Sequence, residues 1–118
     1  MFHINPTSRM PIYEQLYHKI IELVMKGLLK EDDQIPSVRA LAKELGVNPN
    51  TVQKAYQELE RNGIIYSLAG RGNFIAHKNQ ELVKQKALED FDTVTLATLK
   101  LGFSKDELIS RIKELAYD

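Results

Sequence analysis

The stretch GVNPNTVQKAY, residues 46–56, decides how this chain of 118 residues is organised. Asn48 is a favoured residue for capping the start of a helix, and Pro49 suits the first helical position because an N–H there would have no partner. Apolar side chains then recur at helical spacing: Val52, Ala55, Tyr56 and Leu59. The stretch therefore predicts a helix that begins just after Gly46 and ends at Asn62-Gly63.

The residues before Gly46 predict another short helix. Ser37 is a favoured cap, and Gly46 suits the left-handed residue that ends a helix. The apolar side chains between them follow the i, i+3, i+4, i+7 pattern: Val38, Leu41, Ala42 and Leu45. Two short helices joined by about three residues with a glycine are typical of the helix-turn-helix unit, whose second helix projects its outer face.

The outer face of the second helix is polar and consists of Asn50, Gln53, Lys54 and Gln57. Amide side chains donate and accept hydrogen bonds at once, which matches the N7 acceptor and N6 donor of adenine in the major groove. Two alternatives are open, because the same amides can bond phosphate and because any solvated helix carries a polar face. Lys54 can also form an i, i+4 ion pair with Glu58.

A β-hairpin is predicted directly after this unit. The runs IIYS, residues 64–67, and NFIA, residues 73–76, are rich in β-branched and aromatic residues, and LAGRG joins them. A hairpin in this place is a wing with Arg71 at its tip. An arginine between two glycines suits insertion along a phosphate backbone or into a minor groove, although elsewhere it would be read as a solvated turn residue.

Three more helices are predicted, one before the helix-turn-helix unit and two after it. The first lies between Pro11 and Leu29, and the others run from about Gln80 to Leu101 and from Lys105 to about Ala116. Ser104 and Glu107 form a capping box at the start of the last helix. The fold class predicted is thus mainly α with a small β-hairpin (α+β).

The last two helices cannot bury their apolar faces alone, which suggests a division into a DNA-binding domain, residues 1–78, and a C-terminal dimerisation segment, residues 79–118. We expect the segment to pack on a second copy of itself, the alternative being the first domain. Its candidate interface residues are Val83, Ala87, Leu88, Phe91, Val94, Leu108, Ile112 and Leu115.

The composition excludes several classes of function. The chain has no cysteine and its three histidines are scattered, so we expect no metal site and no cofactor. It also lacks a phosphate-binding glycine loop and paired carboxylates in a plausible cleft, so we do not expect an enzyme. No apolar run approaches the roughly 18 residues of a membrane-spanning helix, and the N-terminus lacks the order of a signal peptide, which predicts a cytoplasmic protein without a membrane partner.

Charge is balanced overall, with 16 Lys and Arg against 16 Asp and Glu. Residues 1–78 hold ten Lys and Arg against eight Asp and Glu, net +2, whereas residues 79–118 hold six against eight, net −2. Non-specific affinity for DNA comes mainly from cations on phosphates, so this balance predicts modest non-specific binding.

Taken together, IPSVRALAKELGVNPNTVQKAYQELERNGII, residues 35–65, and GRGNFI, residues 70–75, resemble the winged helix-turn-helix of the GntR family of bacterial transcription regulators. The opening PIYEQLYHKI, residues 11–20, and the short helical tail are most similar to the YtrA subfamily. One departure is Asp32, because the family usually has a glycine in the loop before the Pro-Ser pair. Aspartate tolerates a left-handed backbone better than most residues, so we expect a locally strained loop there.

The resemblance implies a homodimer whose recognition helices enter successive major grooves of a two-fold operator. It also implies a repressor of a small operon, such as one linked to a transporter. The DNA-contacting positions that it implies are Ser37, Arg39, Asn48, Asn50, Thr51, Gln53, Lys54, Gly70, Arg71 and Gly72. Arg39 has the alternative of an ion pair with Glu44. The alternative function is a winged-helix module that binds another protein and no specific DNA.

An effector is left open by the sequence. An aromatic group could line a small pocket for a small molecule: Tyr13, Tyr17, Tyr66 and Phe91. Packing in the core or at an interface explains the same residues better, so the sequence identifies no effector.

Overall fold

The computed structural model describes residues 2–77 and 80–116. The chain divides into two compact units, Met1–Lys78 and Asn79–Asp118. The boundary predicted between residues 78 and 79 itself lies outside the described residues. The elements of the first unit are α1 (Ile12–Met25), β1 (Gln34–Ile35), α2 (Val38–Leu45), α3 (Pro49–Arg61), β2 (Ile65–Leu68) and β3 (Gly72–Ile75), and those of the second are α4 (Gln80–Lys100) and α5 (Lys105–Leu115).

Local capping fixes the helix-turn-helix, as the sequence predicts. The Ser37 hydroxyl accepts a hydrogen bond from the Ala40 backbone N–H at 3.0 Å, and the Asn48 side-chain oxygen accepts one from the Asn50 N–H at 2.8 Å. Gly46 ends α2 with a φ of 70°, a left-handed conformation that costs glycine no steric strain. The turn between α2 and α3 is therefore set by three neighbouring residues and not by distant packing.

The core of the first unit forms where three helices and the sheet meet. All the buried apolar side chains of the described residues belong to this unit, and the largest fully buried ones are Leu16, Ile20, Leu41, Leu59, Ile65, Ile75 and Val52. The predicted inner face of α3 is correct, because Val52, Ala55, Tyr56 and Leu59 are all buried. On α2 only Leu41 and Ala42 are buried, while Val38 and Leu45 are half-buried.

The sheet has three strands, one more than the predicted hairpin. Its order is β1-β3-β2, antiparallel throughout, and the hairpin pairs Leu68 with Gly72 at its tip and Ile65 with Ile75 at its base. β1 pairs Gln34 with Phe74 and Ile35 with Asn73. Two residues before a proline carry no alternating pattern, so β1 exists only because β3 offers it a free edge.

Asp32 adopts the left-handed backbone expected of it, with a φ of 68°, and it is the only non-glycine residue with a positive φ in the described chain. Its N–H donates to the Ile75 carbonyl at 2.7 Å. Its carboxylate accepts a hydrogen bond from the Tyr66 hydroxyl at 2.6 Å and lies 2.5 Å from Nε2 of His77. The loop before β1 is thus held to the sheet by backbone and side-chain bonds.

Protonation of His77 should stabilise this loop. Its bond to Asp32, with the charges of Asp32 and Glu31, raises the pKa of His77 above the ordinary 6.5. A raised folded-state pKa gives a stabilisation that is complete below pH 6.5 and is lost as the pH rises through the raised value. Hydrogen bonds from Tyr66 and then His77 lower the pKa of Asp32 below 3.8, so its contribution is complete above 3.8 and is lost as the pH falls through the lowered value.

We therefore expect the free energy of unfolding to fall between about pH 6 and pH 8, as measured by urea denaturation at both values. In the His77→Asn variant this part of the pH dependence should be absent, while the part due to other groups is kept. An identical pH dependence in both proteins would show that the Asp32–His77 bond does not contribute.

In the second unit, the predicted capping box is present at the start of α5. Ser104 accepts from the Glu107 N–H at 3.0 Å, and the Glu107 carboxylate accepts from the Ser104 N–H at 2.8 Å. Of thirteen large apolar side chains exposed in the described residues, ten lie in this unit. None of the described helices has the length and apolar character needed to cross a membrane.

Candidate nucleic-acid interface

A cleft of about 500 Å³ opens between the wing and the helix-turn-helix. One wall is the hairpin from Ser67 to Asn73, and the other combines the end of β1, the cap of α2 and one side chain of α3. Its lining includes six residues with polar or charged side chains: Gln34, Ser37, Gln53, Ser67, Arg71 and Asn73. The structure therefore brings predicted contacts from α2, α3 and the wing to one surface.

The outer face of α3 lies opposite its buried face, as predicted. Asn50, Gln53, Lys54 and Gln57 are all exposed, and Gln53 lines the cleft. With no side-chain hydrogen bond recorded for Asn50 or Gln53 in the described structure, both amides keep their donors and acceptors for a ligand. This is the geometry that base reading by a recognition helix needs.

Lys54 has a different partner from the one considered for it. Its Nζ lies 4.0 Å from the centre of the Tyr13 ring, a cation–π contact between α3 and α1. Glu58 instead bonds Arg61, three residues further along α3. The Lys54–Glu58 ion pair is therefore absent, and the charge of Lys54 is held against an aromatic face.

Three predicted contact residues lie at helix starts. The oxygens of Ser37 and Asn48 accept capping bonds, which leaves the Ser37 hydroxyl proton and the Asn48 NH₂ group as donors that point away from those bonds. Thr51 is half-buried in the first turn of α3. Donors at a helix N-terminus favour an anion such as phosphate, because the helix dipole adds to them.

At the wing tip, Ala69, Gly70 and Arg71 form the turn between β2 and β3, and Gly72 begins β3. The Arg71 N–H donates to the Leu68 carbonyl at 2.9 Å, and the Arg71 side chain is exposed. Gly72 has a φ of 117°, which favours glycine, and a Cβ there would lie 2.8 Å from Nε2 of Gln34 and displace that side chain.

Neither Arg39 nor Arg71 has an acidic partner within the described residues, and the same is true of Lys54, which contacts the Tyr13 ring instead. The ion pairs found there use Lys19, Lys26, Arg61, His77 and Lys86. The alternative pairing of Arg39 with Glu44 is therefore not formed. Two unpaired guanidinium groups, one on α2 and one on the wing, are suited to bidentate bonds with phosphate.

The aromatic residues considered for an effector pocket each have a contact of their own. Tyr13 lies under Lys54, the Tyr17 hydroxyl accepts from Nδ2 of Asn62 at 2.7 Å, and Tyr66 stacks on Phe74 with ring centres 5.5 Å apart. Phe91 belongs to the second unit. Among the described residues, no group of three or more His, Asp or Glu side chains is arranged to hold a metal ion.

The second unit carries an apolar groove of about 670 Å³ between α4 and α5. Five of the predicted dimerisation residues line it: Phe91, Val94, Leu108, Ile112 and Leu115. Val83, Ala87 and Leu88 lie on α4 outside its lining. The groove is also lined by Leu99, Phe103 and Ile109, which were not predicted. Leu99 lies on α4 and Ile109 on α5, whereas Phe103 lies in the loop between these helices and so follows no helical spacing.

Sequence reasoning also missed Gln34, Ser67 and Asn73 in the cleft. Ser67 and Asn73 are paired across the hairpin, and the Ser67 hydroxyl lies 2.9 Å from Oδ1 of Asn73. The register of the predicted hairpin would have placed Ser67 and Asn73 in the cleft. No sequence pattern pointed to Gln34, because its position depends on the unpredicted strand β1.

Comparison with known proteins shows a family match and a whole-length relative. Residues 12–75 match the model of the family described as bacterial regulatory proteins, gntR family. The HTH-type transcriptional repressor YtrA of Bacillus subtilis (strain 168) is 42% identical over 122 aligned residues, which cover 100% of this chain and 94% of that protein. The resemblance to the YtrA subfamily seen in the sequence is confirmed.

Solved structures show the same architecture. A transcriptional antiterminator from Listeria monocytogenes EGD-e matches with a TM-score of 0.75 at 40% identity, over 100% of this chain and 91% of that one. AraR(DBD), solved in complex with operator ORX1, matches with a TM-score of 0.56 at 32% identity, over 63% of this chain and 92% of that one. The predicted fold class, a winged helix-turn-helix followed by two helices, is confirmed.

Proposed function

Since the chain belongs to the gntR family of bacterial regulatory proteins, and is a DNA-binding transcriptional regulator and not an enzyme, we propose that it is a repressor that reads a two-fold operator as a homodimer. The observation that carries this proposal is the cleft in which Gln53 of α3 faces Arg71 of the wing. One wall offers amides that can read bases, and the other offers a cation that can hold the backbone.

In this proposal the contacts divide by chemistry. Asn50 and Gln53 contact base edges in the major groove, where each good bidentate pair discriminates by about 1–3 kcal/mol. Phosphates are contacted by Arg39, Ser37, Asn48 and Thr51 at the helix starts and by Arg71 between Gly70 and Gly72. Lys54 reaches the DNA backbone only if it leaves the Tyr13 ring, so we assign it the smallest contribution to DNA binding.

Dimerisation is proposed through the groove of α4 and α5. Phe91 and Ile112 are 48% and 46% exposed in the single chain. Burying apolar side chains of this size in an interface is favourable compared with leaving them in water. A second copy supplies a matching apolar surface by symmetry, since a two-fold interface uses the same patch twice. The bound half-sites then lie about one helical turn, roughly 34 Å, apart.

The biological role is proposed from the relatives. The relative that matches over the whole chain is called a repressor, which supports repression as the sign of regulation here. Its proposed action on operator DNA supports a cytoplasmic location. Regulation of a small, transporter-linked operon and release by a small-molecule effector of unknown identity complete the proposal.

Substitution of Asn50 and of Arg71 by alanine should weaken DNA binding in two distinct ways. Asn50→Ala removes a base contact from each protomer, so the preference for the operator over a scrambled duplex should fall by at least about 30-fold. Arg71→Ala removes a phosphate contact from each protomer, so both duplexes should bind more weakly and the slope of log K against log salt should drop by about two.

The measurement is a fluorescence-anisotropy titration across a salt series, with a duplex that the wild-type protein enriches from a random-sequence pool. Gln85→Ala, which removes an exposed amide on α4, is the matched control and should bind as the wild type does. Failure of the wild type to enrich any sequence would reject the proposal in favour of a winged-helix module that binds protein.

A further inference from the structure

We infer that Gln34 is a positioning residue that holds the wing tip at a fixed place beside α3; this rests on the proposed function. Its Nε2 donates a hydrogen bond to the Arg71 carbonyl at 2.9 Å, across 37 residues of sequence. Gly72 leaves room for the same amide, which a Cβ there would meet at 2.8 Å. Gln34 therefore touches the backbone on which the wing-tip arginine is mounted.

Gln34 can hold the tip because its own backbone is fixed. It pairs with Phe74 in β1, and the next residue, Ile35, is 2% exposed and pairs with Asn73. One residue further, the Pro36 carbonyl accepts a hydrogen bond from the Tyr56 hydroxyl of α3 at 2.7 Å. Residues 34–36 are thus bonded to the wing tip at one end and to the recognition helix at the other.

The wing tip has little else to fix it. Beyond the Leu68–Gly72 pair, the backbone bond from the Arg71 N–H to the Leu68 carbonyl closes the turn, and Gly70 and Gly72 give it conformational freedom. Without Gln34 the tip would sample more conformations, and ordering it on DNA would reduce affinity. Within the described residues Gln34 bonds the backbone of Arg71 and forms no hydrogen bond with its side chain, so its effect on DNA binding passes through the position of that residue.

The test is a double-mutant cycle with Gln34→Met and Arg71→Ala on the duplex that the wild type enriches from a random pool. Methionine has nearly the length of glutamine but no N–H donor. We expect Gln34→Met to weaken binding by about ten- to 100-fold, the range expected for one lost hydrogen bond in each of the two protomers. In the Gln34→Met background, Arg71→Ala should lose much less affinity than it does in the wild type.

The controls separate positioning from folding. Gln85→Met makes the same chemical change on an exposed residue of α4 and should bind as the wild type does. Because Gln34 is exposed, its variants should keep the urea midpoint of the wild type. In the Gln34→Ala background, as in the Gln34→Met background, Arg71→Ala should reduce DNA affinity much less than it does in the wild type.

The outcomes are distinct. The inference would be overturned if Arg71→Ala weakened DNA binding by the same factor in both backgrounds, or if Gln34→Met bound DNA with wild-type affinity. Either result would leave the proposed function standing. Failure of the wild type to enrich any duplex would instead overturn the proposed function. Reduced loss from Arg71→Ala beside Gln34→Met, at an unchanged urea midpoint, is the result expected.

Discussion

The Phe91→Asp variant should be monomeric and should bind operator DNA at least about 100-fold more weakly than the wild type. Phe91 lines the groove of α4 and α5 and is half-exposed in the single chain. In the proposed dimer it is covered by the partner, so an aspartate there would bury a charge in a groove whose surface is mainly apolar. Losing the dimer removes the second half-site contact, whose avidity is worth about 10² to 10⁴ in affinity.

Sedimentation velocity and anisotropy titration measure the two effects on one sample. Leu101→Asp is a well-matched control: Leu101 is 79% exposed and lies outside the groove lining, so this variant should remain dimeric and bind normally. Far-UV circular dichroism checks that α4 and α5 are still helical. A dimeric Phe91→Asp protein with normal affinity would exclude this groove as the interface.

The Tyr56→Ala variant should lose about 3–5 kcal/mol of stability, the range for removing a large buried aromatic side chain. Tyr56 is 3% exposed, and its hydroxyl donates to the Pro36 carbonyl at 2.7 Å. Burial raises the pKa of this hydroxyl, so it remains a donor over the whole physiological range. Alanine leaves both a cavity and an acceptor without its partner.

Tyr56→Phe separates the two contributions, because phenylalanine keeps the ring and loses only the hydrogen bond. It should cost about 1–2 kcal/mol, including the unpaired Pro36 carbonyl. Urea denaturation followed by circular dichroism gives both values. Since a domain of this size has only about 4–12 kcal/mol in total, Tyr56→Ala should be partly unfolded at 37 °C, and equal losses in the two variants would contradict the cavity argument.

The parts of the fold predicted correctly are those that neighbouring residues determine. Ser37, Gly46 and Asn48 each act within three or four residues of their own position, so their caps and turn can be read directly from the sequence. The inner face of α3 follows from helical periodicity in the same way. The left-handed Asp32 was expected because of a local departure from the family pattern.

The parts that were missed depend on contacts between distant residues. β1 forms only when β3 lies beside it, and the bond from Gln34 to Arg71 depends on that strand. The contact of Lys54 with Tyr13 requires the packing of α3 on α1, whereas the sequence suggested only the local pairing with Glu58. No periodic pattern within one segment contains this information.

The near balance of charge in the first unit has a consequence for how this regulator would find its target. With ten Lys and Arg against eight Asp and Glu in residues 1–78, contact with random DNA should be brief and sliding distances short. Most copies would then diffuse freely between encounters and would not be retained along the chromosome. Operator occupancy would then depend closely on the number of protein copies per cell, because few copies would be bound to non-specific DNA.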